Sequence, residues 1–160
     1  MSLKILTKSS EDTVKVALRL AVLLKKSDVL GLSGELGTGK TTFVQGIAMG
    51  LGIPKHIQVS SPTFALINEY SYQNGILYHM DFYRLNDAAE AMTLGLEDYF
   101  GSAGISVIEW FERCQGMMPK DFLEIFFSYG HENATEERLI EFVAHGHRSD
   151  QLLQGFISSA

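Results

Sequence analysis

Residues 34 to 41 read Gly34-Glu35-Leu36-Gly37-Thr38-Gly39-Lys40-Thr41, and few backbones can accommodate that spacing of glycines, lysine and hydroxyl. Just before it, Val29-Leu30-Gly31-Leu32-Ser33 is a short apolar run with a β-branched start, expected to be a central strand covered on both faces. Just after it, Phe43, Ile47 and Leu51 recur at helical spacing, and the pattern stops near Gly50-Leu51-Gly52 and Pro54. Strand, glycine-rich loop and helix form the setting in which Gly-x-x-x-x-Gly-Lys-Thr is a Walker A motif. The glycines let successive backbone N–H groups converge on one anion, and the helix N-terminus adds roughly half a positive charge there. Lys40 is expected to reach the β and γ oxygens of ATP, and the Thr41 hydroxyl to ligate Mg2+. Thr42 is either helix packing or a second hydroxyl near the phosphates.

A magnesium nucleotide site also needs an acid opposite the loop, and two apolar strands end in one. Glu109 follows Ile105-Ser106-Val107-Ile108, and Asp81 follows Ile76-Leu77-Tyr78-His79-Met80. We assign the metal to Glu109 and a catalytic or switch role to Asp81; the residues alone leave the reverse assignment open. With Lys40 these two acids make the expected catalytic set. Thr63, in Ser60-Ser61-Pro62-Thr63, is either a hydroxyl sensor of the γ-phosphate or part of a plain turn. His79 reads as a packed core residue and not as a metal ligand. Arg84 either neutralises charge at the site or pairs with a neighbouring acid, and Trp110 stacks near the nucleotide, meets a partner or fills the core.

The remaining chain supplies a framework for one domain over residues 1–160. Ser9 or Ser10 caps a helix running to about Leu24, with Val14, Leu18, Ala21 and Val22 repeating on one side. Phe64 to Tyr72 and Ile76 to Tyr83 make an antiparallel pair about Asn74-Gly75. Asn86 caps a short helix, Leu96 to Phe100 is a helical turn, Phe122 to Tyr129 and Arg138 to Ala144 are strands, and Gln151 to Ile157 is a closing helix. The expected fold class is an α/β P-loop three-layer sandwich with a central, mostly parallel sheet and antiparallel additions.

Composition excludes several functions. The net charge is -6 and no run of basic residues exceeds Lys25-Lys26, so direct gripping of a phosphodiester backbone is not expected. One cysteine forms no internal bridge, no apolar signal core follows Met1, and no stretch of about 18 apolar residues occurs, so a cytoplasmic location without membrane passage is expected.

Gly34 to Thr42, Ser61-Pro62-Thr63, His79-x-Asp81-x-Tyr83-Arg84-Leu85 and Glu109-Trp110, taken together, resemble the bacterial TsaE (YjeE) family. The resemblance runs to about Pro119. It implies an ATPase subunit that acts with TsaD and TsaB in making threonylcarbamoyladenosine on tRNA, touching tRNA only through the complex. It also implies that Lys40 and the loop amides bind phosphate, that Thr41 and Glu109 meet magnesium, and that Asp81, Thr63 and Trp110 are sensitive positions. Nucleotide contacts near the first helix point to Ser10 or Thr13. The chain departs from many relatives at Asp87-Ala88-Ala89-Glu90, where they carry a more acidic run, and at Ser60, where they carry a basic residue. The alternative on the same scaffold is a small-molecule kinase, disfavoured because Arg19, Arg84, Arg113, Arg138 and Arg148 are scattered and form no lid cluster. No Asn-Lys-x-Asp motif for guanine is present.

Overall fold

The protein was analysed as a computed structural model that describes residues 1–62 and 65–160. Its strands are β1 (Ser2–Thr7), β2 (Val29–Gly34), β3 (Ile67–Tyr72), β4 (Gly75–Asp81), β5 (Ile105–Glu109), β6 (Phe122–Tyr129) and β7 (Arg138–His145). They form one sheet in the spatial order β1-β7-β6-β2-β5-β4-β3. The central strands β6, β2, β5 and β4 run parallel. At the flanks β7, β1 and β3 pair antiparallel. The expected α/β sandwich is therefore observed.

Two apolar cores, one on each face, follow from strands that are apolar on both sides. Helices α1 (Ser10–Ala21), α2 (Lys40–Leu51) and α5 (His147–Ser158) cover Leu30, Leu32, Val107, Ile125 and Phe142. The short helices α3 (Ala88–Met92) and α4 (Leu96–Phe100), with a 3-10 segment over Phe111–Met117, cover Val29, Met80 and Ile108. Gly31 sits beneath the Phe111 ring, where a Cβ would lie 2.9 Å from Cγ, so β2 needs that glycine for the second core to close. Phe43 of α2 meets Phe127 edge to face at 5.4 Å, and truncating either ring would cost about 3–5 kcal/mol.

The first helix buries Ala21 as expected, but the rest of its buried stripe differs from the expected one. It ends at Ala21, and Val22 is 71% exposed. The buried positions are Thr13, Val16, Ala17, Leu20 and Ala21, because Ala17 and Ala21 face Gly46 and Gly50 of α2. A Cβ at Gly46 would lie 2.6 Å from that of Ala17, so small residues set this close helix approach where large ones marked the predicted face. Ser9 is the N-cap, accepting from the Asp12 N–H at 3.1 Å.

Other boundaries move for local reasons. Tyr72 pairs with Gly75, so the hairpin turn is Gln73-Asn74, one residue earlier than expected, and β4 stops at Asp81 instead of Tyr83. The Phe64 start assigned to the preceding strand lies outside the described residues. Asp87, not Asn86, caps α3, its carboxylate accepting from Glu90 N–H at 2.9 Å. Strand β1, absent from the expectations, is an edge strand whose Leu3 and Ile5 are only partly buried, and α5 begins four residues before the expected Gln151. Among the described residues no helix is long and apolar enough to cross a membrane.

Candidate functional site

The glycine-rich loop leaves the C-terminal end of β2, between β6 and β5, which is where open α/β sheets present ligand crevices. Gly34, Gly37 and Gly39 have φ of 135°, 78° and 99°, values that side-chain-bearing residues rarely adopt. A Cβ at Gly34 would also collide with the Phe127 carbonyl, whereas one at Gly39 would stand in open space. The loop is thus pressed against β6 on its outer side and clear on its inner side. Gly39 is the N-cap of α2 and offers no capping side chain, so the first amides of that helix have no side-chain acceptor there.

A cleft of about 390 Å³ opens at this point. Leu36, Gly37, Gly39, Lys40, Thr41, Thr42, Asp81, Glu109 and Trp110 line it, positions expected from sequence, together with Ser61 and Tyr83, which were not among the expected site residues. Gly34, Glu35 and Thr38 build the loop without lining the cleft; Thr38 is buried and ties its hydroxyl to the Glu35 carbonyl at 2.6 Å. Ser10 is exposed on α1 and is not part of the lining. The alternative position Thr13 is buried beside Thr7, with their hydroxyls 3.1 Å apart. Thr63 lies outside the described residues.

Lys40, the lysine of the loop, is a buried cation. It is 4% exposed, and Nζ donates to the carbonyls of Gly34 at 2.7 Å and Glu35 at 2.8 Å while lying 4.3 Å from the centre of the Trp110 ring. Burial pushes its amine below the ordinary lysine value, against the opposing pull of Glu109, Glu112 and Asp81. Trp110 is half-buried, sits at φ 59°, and packs its ring 5.0 Å from that of Tyr83. The strained turn at the end of β5 therefore aims the indole back over the lysine. Burial pushes Glu112 above the usual carboxylate range, with Lys40 acting in the other direction.

Glu109 is 2% exposed yet fully engaged. Oε1 accepts the Thr41 hydroxyl at 2.9 Å; Oε2 accepts the Ser61 hydroxyl at 3.1 Å and lies 2.5 Å from His79 Nε2. Asp81 is its register partner across β4 and β5, and Asp81 Oδ1 accepts the Tyr83 N–H at 2.9 Å. The two acids thus stand side by side at one strand end, with Glu109 in contact with Thr41. Ser61, Pro62, Asp81, Tyr83 and Arg84 border a smaller adjoining cavity of about 160 Å³.

Three participants escaped the sequence reading. His79 was set aside as core, and its i, i+2 relation to Asp81 on β4 was the available signal. Ser61 was passed over in favour of Thr63. Arg138, at the start of β7, donates to the carbonyls of Thr38 at 3.2 Å and Gly37 at 3.3 Å, bracing the loop from a hundred residues away, and no local pattern announces that.

The residues present fit a magnesium nucleotide. Mg2+ keeps several waters and takes one or two carboxylates together with substrate phosphates. Among the described residues there is no group of three or more His, Cys, Asp and Glu suited to an all-protein metal cage. One carboxylate and one hydroxyl beside an open loop suit a metal that arrives with its phosphates.

The family described as Threonylcarbamoyl adenosine biosynthesis protein TsaE matches residues 7–140. The tRNA threonylcarbamoyladenosine biosynthesis protein TsaE from Bacillus subtilis is 41% identical over 152 residues, covering 95% of this chain and 92% of its own. The one from Haemophilus influenzae is 34% identical, covering 84% of each. The crystal structure of Bacillus subtilis YdiB superposes with a TM-score of 0.83 at 34% identity, covering 99% of this chain and 96% of that one. A family match over most of the sheet and all of the cleft, with relatives of this identity along nearly the whole length, settles the assignment: the chain belongs to the TsaE family.

Proposed function

We propose that this protein binds ATP with Mg2+ at the loop of residues 34 to 41, hydrolyses it slowly, and serves the formation of threonylcarbamoyladenosine on tRNA in the cytoplasm. The observation that carries the nucleotide reading is Thr41 Oγ1 held 2.9 Å from Glu109 Oε1 at the mouth of a glycine loop whose inner side is clear. The family's description and the names of its relatives as threonylcarbamoyladenosine biosynthesis proteins support the biological role.

In this reading the loop amides and the α2 N-terminus bind the phosphates, and Lys40 exchanges its two carbonyl partners for phosphate oxygens. Thr41 and Glu109 would hold the metal, which when bound would neutralise charge on the phosphate oxygens. Asp81, beside Glu109 and facing the same cleft, orients the attacking water and accepts its proton. Trp110 covers the lysine and limits access of bulk water to it. A net charge of -6 fits a subunit that meets tRNA through others, and we assign TsaB and TsaD as those partners.

Phosphate release measured for the protein alone and with TsaB and TsaD tests this. Slow release alone, with acceleration or complex formation on mixing, is expected. Unchanged release together with no complex at micromolar concentration would overturn the role in the assembly, and no nucleotide binding at all would overturn the site.

A further inference from the structure

His79 is not part of the cleft lining, yet it makes the shortest contact in the site. It is 0% exposed, lies on β4 between β3 and β5, and places Nε2 2.5 Å from Oε2 of Glu109. In the arrangement proposed below the carboxylate accepts and the ring proton of this contact sits on Nε2. The other nitrogen, Nδ1, is buried with no hydrogen-bond partner among the described residues. An orphaned buried nitrogen destabilises a fold, and packing alone would be served better by leucine. The histidine therefore makes sense through what Nε2 does.

We propose that His79 is a positioning residue for Glu109: by donating to Oε2 from inside the sheet, it turns Oε1 toward the Thr41 hydroxyl and the cleft. Among the described residues Ser61 is the other donor to Oε2, and it sits in a connection without regular structure. His79 sits on a strand hydrogen-bonded on both sides, so it is the fixed point of the pair. A glutamate side chain has three rotatable bonds, and holding one oxygen from below leaves the second with a single direction. Groups of this kind, one shell out from a metal ligand, set the ligand's orientation and hence the affinity of the site. This inference rests on the magnesium nucleotide reading above and deepens it.

The test compares wild type, His79→Leu, which keeps volume without a donor, and His79→Gln, whose side-chain amide returns an N–H near Nε2. ATP affinity is measured with Mg2+ and with EDTA, by calorimetry and by the fluorescence of the single tryptophan, Trp110. All three are expected to bind similarly in EDTA. The gain in affinity on adding Mg2+ should fall about 10- to 100-fold in His79→Leu and return in large part in His79→Gln. A full Mg2+ gain in His79→Leu, or equal loss in both variants, overturns the positioning role while leaving the cleft reading intact. Absence of a Mg2+ gain in wild type overturns both. Should a variant not fold, histidine 15N spectra of the wild type decide: a proton on Nε2 is expected, and a neutral Nδ1–H tautomer refutes the proposal.

Discussion

The two ends of the central strands each hold a cavity and a buried charge, and they use them in opposite ways. At the C-terminal end the cleft measures about 390 Å³; at the other end a cavity of about 310 Å³ is lined by Asp28, Asp121 and Arg148, among others. At that far end the charges are completed by the protein. Arg148 Nε and Nη2 donate to the two oxygens of Asp28 at 2.9 and 2.6 Å, and Nη2 also donates to the Leu23 carbonyl at 3.0 Å. In the cleft, Lys40 has two carbonyls of its own loop and an aromatic face as neighbours, without a carboxylate in direct contact among the described residues. Cavity size does not separate the two ends; the closure of the charge does. A cation matched to a fixed carboxylate fastens the fold, and one resting on carbonyl dipoles can exchange them for an anion of higher charge.

The sharpest way to break that contrast is to remove one cation from each end. Lys40→Ala is expected to lower nucleotide affinity or turnover on the order of 100- to 1000-fold, as for loss of a preorganised charge-stabilising donor. Its urea midpoint should move far less. Calorimetry and phosphate release check the first, and unimpaired values for both would end the nucleotide reading. Arg148→Met should do the reverse. It leaves the Asp28 side chain, 5% exposed, with the Lys25 N–H but without its charged partner; because Arg148 itself is 30% exposed, the loss is discounted to about 2–3 kcal/mol. Urea unfolding reads that loss, and ATP affinity of the folded variant is expected to stay at the wild-type value. A parallel drop in affinity would show that the far end is coupled to the cleft.

The same contrast explains what could be read from sequence. The cleft was legible where chemistry is local: glycines at 34, 37 and 39 have to take positive φ, and Lys40 and Thr41 follow at fixed spacing. Strand periodicity also delivered Asp81 and Glu109 to the same edge, because β4 and β5 are apolar runs that end in acids. What stayed hidden depends on pairing across the chain. Arg138 reaches the loop because β7 lies next to β6, and His79 meets Glu109 because β4 lies next to β5. Burial of Lys40 was not legible for a related reason: its ammonium is held by the carbonyls of its own loop, and a motif names side chains but not the backbone groups they meet. The far-end clasp was invisible altogether, since 120 residues separate Asp28 from Arg148.

The smallest expected effect sharpens the contrast by titrating the clasp. Asp121 sits just before β6 and caps α5 from outside that helix, Oδ2 accepting the Arg148 N–H at 2.7 Å and Oδ1 the Ser149 N–H at 2.9 Å. Gly146, at φ 139°, is required because a Cβ there would collide with the Asp121 carboxyl. Burial alone would raise this carboxyl, but the two backbone N–H groups, the Ser149 hydroxyl and the nearby His147 outweigh it and hold it below the ordinary aspartate value. A carboxyl depressed in the folded state contributes stability above its unfolded value of about 4, and that contribution is lost as the pH falls through the lower native value. Asp121→Asn keeps the shape but turns one acceptor into a donor facing an N–H. It should therefore lose about 1 kcal/mol at pH 7, the usual worth of an N-cap, with the gap to wild type closing below about pH 4. Urea unfolding at a series of pH values measures the gap. A gap that persists unchanged at the lowest pH would mean that the Asp121 contribution lies in packing against Gly146 and not in its charge.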